Sequence, residues 1–135
     1  MANKRNKGIL MRLLNFIVVF LLLNFTNCNS QNKTSENKIS FKTLNKELTN
    51  KNLQLIDVRT AYEFKKGAIG NATNISILDL NFNKKIGQLN KEAPVYVYCQ
   101  SGVRSAKACK KLRKFGFKFV YDYSGGYKEW SEIEK

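Results

Sequence analysis

The stretch that most constrains the fold is a run of strand-forming residues, 95–98, that leads directly into Cys99 and a short polar turn. Valine and tyrosine favour β-strand, and the Lys-, Ala- and Leu-containing residues 105–115 favour a helix after the turn. The sequence therefore predicts a strand, loop and helix unit with Cys99 at its apex. In such a unit, the loop N–H groups and the positive end of the helix would stabilise an anion at the Cys99 sulfur.

A buried cysteine that merely fills the end of a strand is the alternative interpretation of Cys99. Two residues of the turn favour the anion-binding interpretation. Gly102 allows the backbone to curl inward, and Arg104 supplies a positive charge close to the sulfur.

Strands and helices are predicted to alternate along the rest of the chain. Strands are expected at residues 39–41, 53–58, 72–77 and 117–121, and helices at 44–48, 61–66, 78–89 and around Trp130. The helix at 78–89 would bury one stripe, formed by Leu78, Phe82, Ile86 and Leu89. This alternation indicates an α/β domain with a mainly parallel sheet.

The sequence contains no histidine. That absence excludes Cys-His and Ser-His-Asp nucleophilic machinery and argues against a zinc site. Cys109 shares a predicted helical stripe with Ala106 and Leu112, which indicates a small core residue rather than a resolving thiol. Chemistry at Cys99 would therefore depend on a thiolate stabilised by electrostatics alone, with neither a metal nor a cofactor.

Three segments together resemble the rhodanese family of single-domain sulfurtransferases. Residues 99–105, Cys-Gln-Ser-Gly-Val-Arg-Ser, resemble its active-site loop, and Asp57-Val58-Arg59 resembles its Asp-x-Arg signature. Residues 125–130, Gly-Gly-Tyr-Lys-Glu-Trp, resemble its C-terminal Gly-Gly-x-x-x-Trp signature. The resemblance covers about residues 39–133 and implies a rhodanese-like fold, with about five mainly parallel strands flanked by helices.

The resemblance also implies an activity, which is sulfur transfer through a persulfide on Cys99. The loop N–H groups would hold the persulfide, and Arg104 would bind the oxyanion of a donor such as thiosulfate. The acceptor would be cyanide or a thiol, including the thiol of a protein. The substrate-binding residues implied are Arg59, Gln100, Ser101, Gly102, Val103, Arg104 and Ser105.

Arg59 and Asp57 each admit a structural role beside the functional one. Arg59 would either line the pocket or pair with Glu63, four residues later, and fix the end of a strand. Asp57 is expected to tie the neighbouring loop by hydrogen bonds. The family commonly carries a histidine where this sequence has Ala68, and we expect only a structural turn contact to be lost there.

Two rival functions follow from the same loop. One is a sulfur carrier or partner-binding module, loaded and unloaded by another protein with little turnover of its own. The other is a cysteine phosphatase, but those enzymes use a Cys-x5-Arg loop, whereas Cys99 and Arg104 are separated by four residues. The shorter loop favours sulfur transfer.

The N-terminus resembles an export signal, expected over residues 1–27. Lys4, Arg5, Lys7 and Arg12 precede an apolar run at 13–23, which is shorter than a membrane span requires. An uncleaved anchor or a buried helix is the alternative. Cys28 stands where bacterial lipoproteins carry their lipidated cysteine, although cleavage after Ser30 would also be reasonable. We therefore expect an exported protein, periplasmic or membrane-anchored through Cys28, with a flexible tether at 28–38.

The chain is strongly basic, with a formal net charge of +14. The expected signal carries +4 of this charge, which leaves +10 on the remainder. The basic residues are spread along predicted helix faces and loops, and no aromatic-basic recognition motif accompanies them. We therefore expect solvated faces rather than a nucleic-acid partner.

Overall fold

The computed structural model describes residues 37–135. The predicted export signal at 1–27, the lipidation site Cys28 and nearly all of the tether at 28–38 lie outside these residues and stay predictions from the sequence. Within the described part, no helix is both long enough and apolar enough to cross a membrane.

Five strands and five helices alternate along the described residues. The strands are β1 (Asn37–Lys38), β2 (Gln54–Asp57), β3 (Thr73–Asn74), β4 (Val95–Tyr98) and β5 (Val120–Tyr123). The helices are α1 (Phe41–Glu47), α2 (Ala61–Lys65), α3 (Phe82–Ile86), α4 (Val103–Lys114) and α5 (Gly126–Ile133).

The strands form one sheet in the order β1-β5-β4-β2-β3, and every neighbouring pair is parallel. This arrangement confirms the predicted α/β class. Strand β4 lies at the centre, with Tyr98 beside Asp57 of β2 on one side and beside Tyr123 of β5 on the other. The carboxyl ends of these three strands therefore meet at one edge of the sheet, directly before Cys99.

Side chains of β4 alternate between the two faces of the sheet, as the two-residue period of a strand requires. Val95, Val97 and Cys99 face one core, to which α3 and α4 contribute Phe82, Ile86, Ala108, Cys109 and Leu112. Tyr96 and Tyr98 face a second core, which contains Leu44 of α1 and Trp130 of α5. Helices therefore cover both faces, and all four residues of β4 are buried.

The second core is largely aromatic. The ring centroid of Trp130 lies 4.8 Å from that of Phe41 and 6.3 Å from that of Tyr123, with the latter pair edge to face. Trp130 is 8% exposed. It is therefore a packing residue, and its burial fixes α5 against the sheet.

Several predicted elements were wrong in their bounds, among them the strand expected at 72–77, which is only Thr73–Asn74. Phe41 begins a helix rather than extending a strand, because the Ser40 side chain caps it by accepting a hydrogen bond from Thr43 N. The helix predicted at 78–89 is only Phe82–Ile86, and Leu78 is exposed instead of belonging to the buried stripe. The last strand is Val120–Tyr123 rather than 117–121, since the ladder with β4 continues to Tyr123.

Leu112→Ala tests the core between α4 and the sheet. Leu112 is fully buried, so we expect the substitution to lower the free energy of unfolding by about 2–5 kcal/mol. Leu80→Ala is the matched control, because Leu80 is fully exposed and its loss is expected within about 0.5 kcal/mol. Urea denaturation of both variants measures the difference, and equal losses would contradict this core.

Candidate active site

Cys99 follows the last residue of β4 and is 1% exposed. The Gly102 N–H donates a hydrogen bond to the Cys99 Sγ at 3.1 Å. The Cys99 thiol lies 3.7 Å from Ser105 Oγ, which in turn donates to the Gly102 carbonyl at 3.0 Å. The loop therefore curls back on the sulfur, as the sequence predicted for an anion-binding turn.

Gly102 makes this curl possible. Its φ of +88° lies in the left-handed region, and a Cβ at this position would stand 2.6 Å from the Ser124 carbonyl oxygen. Helix α4 begins at the next residue, two positions earlier than predicted. The N–H groups of its first turn have no partner within the helix, so the positive helix end lies directly after the Cys99 loop.

The C-terminal Gly-Gly turn supports the loop from behind. Tyr127 N donates to the Cys99 carbonyl at 2.8 Å, and Lys128 N donates to the Gln100 carbonyl at 3.1 Å. Gly126 has a φ of +67°, and a Cβ there would lie 2.6 Å from the Cys99 carbonyl oxygen. The start of α5 therefore fixes the backbone that carries the candidate nucleophile.

Arg59 is buried, at 1% exposure, and binds Asp57 through two nitrogens. The Nη2–Oδ2 distance is 2.6 Å, and Asp57 Oδ1 also accepts from the backbone N–H of Arg59 at 2.8 Å. Burial acts to lower the pKa of Arg59, but the hydrogen bond and charge of Asp57 outweigh it and raise that pKa. The structural role expected of Asp57 is thus confirmed.

Arg59 also joins three further segments. Its Nη2 donates to the Gly67 carbonyl at 2.6 Å, and its Nη1 donates to Gln100 Oε1 at 3.3 Å. Its guanidinium carbon lies 4.1 Å from the ring centroid of Tyr127. One buried cation therefore connects β2, the turn before β3, the Cys99 loop and α5.

The turn around Ala68 is held by residues other than a histidine. Arg59 binds the Gly67 carbonyl, and the Ile69 N–H donates to the hydroxyl of Tyr98 at 3.0 Å. Burial raises the pKa of Tyr98. The turn is therefore tied to β4 through the Tyr98 hydroxyl.

Arg104 pairs with Glu63, so the Arg59–Glu63 pair, one of the two roles considered for Arg59, was wrong. Arg104 Nη1 lies 2.7 Å from Glu63 Oε2, and Nη2 lies 2.6 Å from Oε1. This two-pronged geometry is the strong form of an arginine–carboxylate pair. Hydrogen bonds from Arg104 are the main cause that lowers the pKa of Glu63 to about 2. Glu63 chiefly raises the pKa of Arg104, with a smaller contribution from the charge of Cys99.

The structure brings most of the predicted site residues close to Cys99, but only some of them contact its sulfur. Gly102 and Ser105 contact the Cys99 sulfur directly, while Gln100 binds Arg59 and Arg104 binds Glu63. The side chains of Ser101 and Val103 are exposed. Arg59 lies beneath the loop, and its side-chain nitrogens are occupied by hydrogen bonds to Asp57, Gly67 and Gln100.

Sequence reasoning missed Glu63 and Tyr127 as members of the site. The signal for Glu63 was the spacing Thr60-x-x-Glu63, which forms a capping box at the start of α2. No sequence pattern predicted the ring of Tyr127 over Arg59.

Among the described residues, no cluster of three or more Cys, Asp or Glu side chains could hold a metal ion. A cavity of about 170 Å³ lies elsewhere, between the 48–55 segment and Gly70–Asn71.

Comparison with known proteins decides the family. The model of the rhodanese-like domain matches residues 40–133 of this chain. The chain belongs to the rhodanese-like domain family. The matched segment contains the whole loop, the Arg59 network and the Gly-Gly turn.

Curated relatives carry several names. The uncharacterized protein YqhL of Bacillus subtilis is 42% identical over 80 residues, which are 59% of this chain and 62% of that protein. A putative mitochondrial thiosulfate sulfurtransferase of Schizosaccharomyces pombe is 38% identical over 62% of this chain and 66% of its own length. The chain therefore spans less than two thirds of the length of each of these two proteins. Thiosulfate sulfurtransferase GlpE of Shewanella oneidensis is 34% identical over 61% of this chain and 79% of that protein.

The chain is also similar to a protein named as a sulfur carrier and to a solved sulfurtransferase structure. The putative sulfur carrier protein YrkF of Bacillus subtilis is 30% identical over 62% of this chain and 44% of that protein. The human single-domain sulfurtransferase TSTD1 superposes with a TM-score of 0.62 at 26% identity, over 73% of this chain and 98% of that one. Its fold confirms the rhodanese-like architecture predicted from the sequence.

Arg59→Met tests the buried cation. The change leaves Asp57 buried without its partner, so we expect it to lower the free energy of unfolding by about 3–5 kcal/mol. Lys85→Met is the matched control, since Lys85 and Asp79 form an exposed pair whose loss is expected to leave the stability nearly unchanged. Denaturant unfolding measures both. A loss below about 1 kcal/mol for Arg59→Met would contradict the structural role.

Gly126→Ala tests the support behind the loop. The new Cβ would meet the Cys99 carbonyl in addition to imposing the left-handed strain of about 1–2 kcal/mol. Gly116→Ala isolates that strain, because Gly116 has a φ of +98° but its Cβ would meet no atom closer than 3.9 Å. We expect a larger fall in melting temperature for Gly126→Ala. Equal falls would show that the loop yields to the added methyl group.

Proposed function

We propose that this protein is a sulfurtransferase that moves sulfane sulfur from a donor to a thiophilic acceptor through a persulfide on Cys99. The observation that carries the proposal is the 3.1 Å hydrogen bond from the Gly102 N–H to the Cys99 Sγ. A backbone donor aimed at sulfur stabilises a thiolate and, after transfer, a persulfide. The relatives named as thiosulfate sulfurtransferases support the same chemistry.

The proposed reaction has two halves. In the first, the Cys99 thiolate attacks the outer sulfur of the donor, and an S–S bond forms as the donor's bond to that sulfur breaks. With thiosulfate, sulfite leaves with the electron pair, and the charge is the same on both sides. In the second half, cyanide or a thiolate attacks the outer sulfur of the persulfide and restores the Cys99 thiolate. Neither half requires a proton relay, so a site without histidine suffices.

The loop residues have distinct proposed roles. Gly102 donates to the sulfur, and Ser105 lies beside it. The first-turn N–H groups of α4 face the same region of charge. Gln100 anchors the loop by accepting a hydrogen bond from Arg59. Arg104 supplies a positive charge on the outer side of the loop.

A sulfur-carrier role is the second candidate, and two exposed apolar side chains favour it. Tyr62 is 70% exposed and Val103 is 64% exposed. Each is one residue away from the Glu63–Arg104 pair, so both lie beside the loop. Exposed aromatic and branched side chains at such a position would suit contact with another protein. A carrier would give stoichiometric transfer, whereas an enzyme turns over.

Intact mass measurement of the purified full chain tests the proposal. Incubation with thiosulfate is expected to add one sulfur, about 32 Da, since the persulfide retains the transferred atom. Cyanide is expected to remove it, and Cys99→Ser to prevent it. Cys109→Ala is the control and should keep the adduct, because Cys109 is buried in the core below α4. An adduct that survives in Cys99→Ser would refute transfer through Cys99.

A further inference from the structure

Both arginines of the site are balanced by a carboxylate of their own. Arg59 is paired with Asp57, and Arg104 is paired with Glu63 at 2.6 Å. With the Cys99 thiolate added, these five groups carry a net charge of −1 before any donor arrives. The site is therefore less attractive to a multiply charged anion than its two arginines suggest.

Glu63 is held in place independently of Arg104. Its Oε2 accepts hydrogen bonds from Thr60 N at 3.0 Å and from Thr60 Oγ1 at 2.7 Å. These contacts form the capping box that begins α2, directly after β2. The carboxylate therefore cannot swing away to leave Arg104 to a donor without breaking the start of α2.

Arg104 still offers hydrogen bonds to a ligand. Two of its five N–H groups bind Glu63, which leaves three donors on the same planar group. Both side chains are partly exposed, at 27% for Arg104 and 28% for Glu63, so a ligand can reach the pair. A donor that binds there gains hydrogen bonds but also meets the charge of Glu63.

The neighbouring lysines do not change this balance at close range. Lys66, Lys107 and Lys128 are exposed, and Lys66 lies over the ring of Tyr62 at 4.2 Å. Charges in solvent are screened within about 8 Å at physiological ionic strength. These lysines attract anions to the protein surface in general, whereas Glu63 is in direct contact with Arg104, the cation beside the loop.

We propose that Glu63 is a specificity-determining residue that selects donors by charge, favouring singly charged or neutral sulfane donors over dianionic thiosulfate. This inference rests on the proposed function, and in it Glu63 acts through the negative charge that it places beside Arg104. Thiosulfate is then a working donor but a poorly matched one. A persulfide or thiosulfonate anion, which carries one negative charge fewer than thiosulfate, is the better match.

The test compares two donors that differ by one charge. Methanethiosulfonate is a monoanion and thiosulfate a dianion, and both present sulfonyl oxygens beside the transferable sulfur. Loading of Cys99 in the full chain is followed by intact mass in single turnovers, over a range of donor concentrations. The readout is the ratio of the second-order loading rate constants, thiosulfate over methanethiosulfonate.

Glu63→Gln is the decisive variant, because glutamine keeps the capping box while removing the charge. We expect the ratio to rise by about three- to tenfold, the effect of one unit charge at short range in a partly exposed site. The gain should appear in the donor concentration needed for half-maximal loading, with the limiting rate unchanged. A merely structural role for Glu63 would lower loading by both donors equally.

Glu92→Gln is the matched control for net charge. Glu92 pairs with Lys118 on the exposed surface, with side-chain exposures of 67% and 59%, and the change removes the same unit of charge. The ratio should not change in this variant. An unchanged or lower ratio in Glu63→Gln, or an equal rise in Glu92→Gln, would overturn the inference while leaving persulfide formation intact. Failure of the wild-type chain to load from either donor would instead overturn the proposed function and the inference together.

Discussion

The buried ion pair of Arg59 and Asp57 is the interaction on which the site depends. A guanidinium with 1% exposure has lost its hydration, and only paired and hydrogen-bonded partners offset that loss. Here the partners come from four parts of the chain: Asp57 on β2, the Gly67 carbonyl, Gln100 in the loop and the ring of Tyr127 on α5. Because an unsatisfied buried cation is so costly, these segments are held in one arrangement. The Asp-x-Arg pattern is therefore a structural centre that supports the loop carrying Cys99.

The Cys99 loop is fixed from two sides as a consequence. Arg59 holds the Gln100 side chain from the β2 side, and the backbone of α5 holds the carbonyls of Cys99 and Gln100 from the β5 side. Preorganised donors stabilise charge more effectively than donors that must reorient, so this support would matter for Cys99 as the proposed nucleophile, which no histidine assists. It also explains the Gly-Gly turn, since a side chain at Gly126 would collide with the Cys99 carbonyl. The same loop leaves Arg104 on its outer side, where its charge is balanced by Glu63.

Much of this could be predicted from local patterns, and the errors have local causes. The strand-loop-helix unit around Cys99 was predicted correctly because a strand, a glycine and a helix are each recognisable in short segments. The helix expected at 78–89 was too long, since a spacing of three to four apolar residues does not distinguish Phe82–Ile86 from the exposed Leu78. The first strand was placed too late because Ser40 begins a helix, and a capping side chain outweighs a short alternation of apolar residues.

The sequence by itself determined the α/β class, the order of the elements, the loop that carries Cys99 and the family. Each of these depends on neighbours within a few positions, where side-chain periodicity and turn chemistry act directly. Only the tertiary structure decided which carboxylate neutralises which arginine. Glu63 and Arg104 are 41 positions apart, yet β2 and β4 are neighbours in the sheet although β3 lies between them in sequence. The helices that follow these two strands therefore begin at the same edge, and Glu63, the first acid after Arg59 in the sequence, becomes the partner of Arg104.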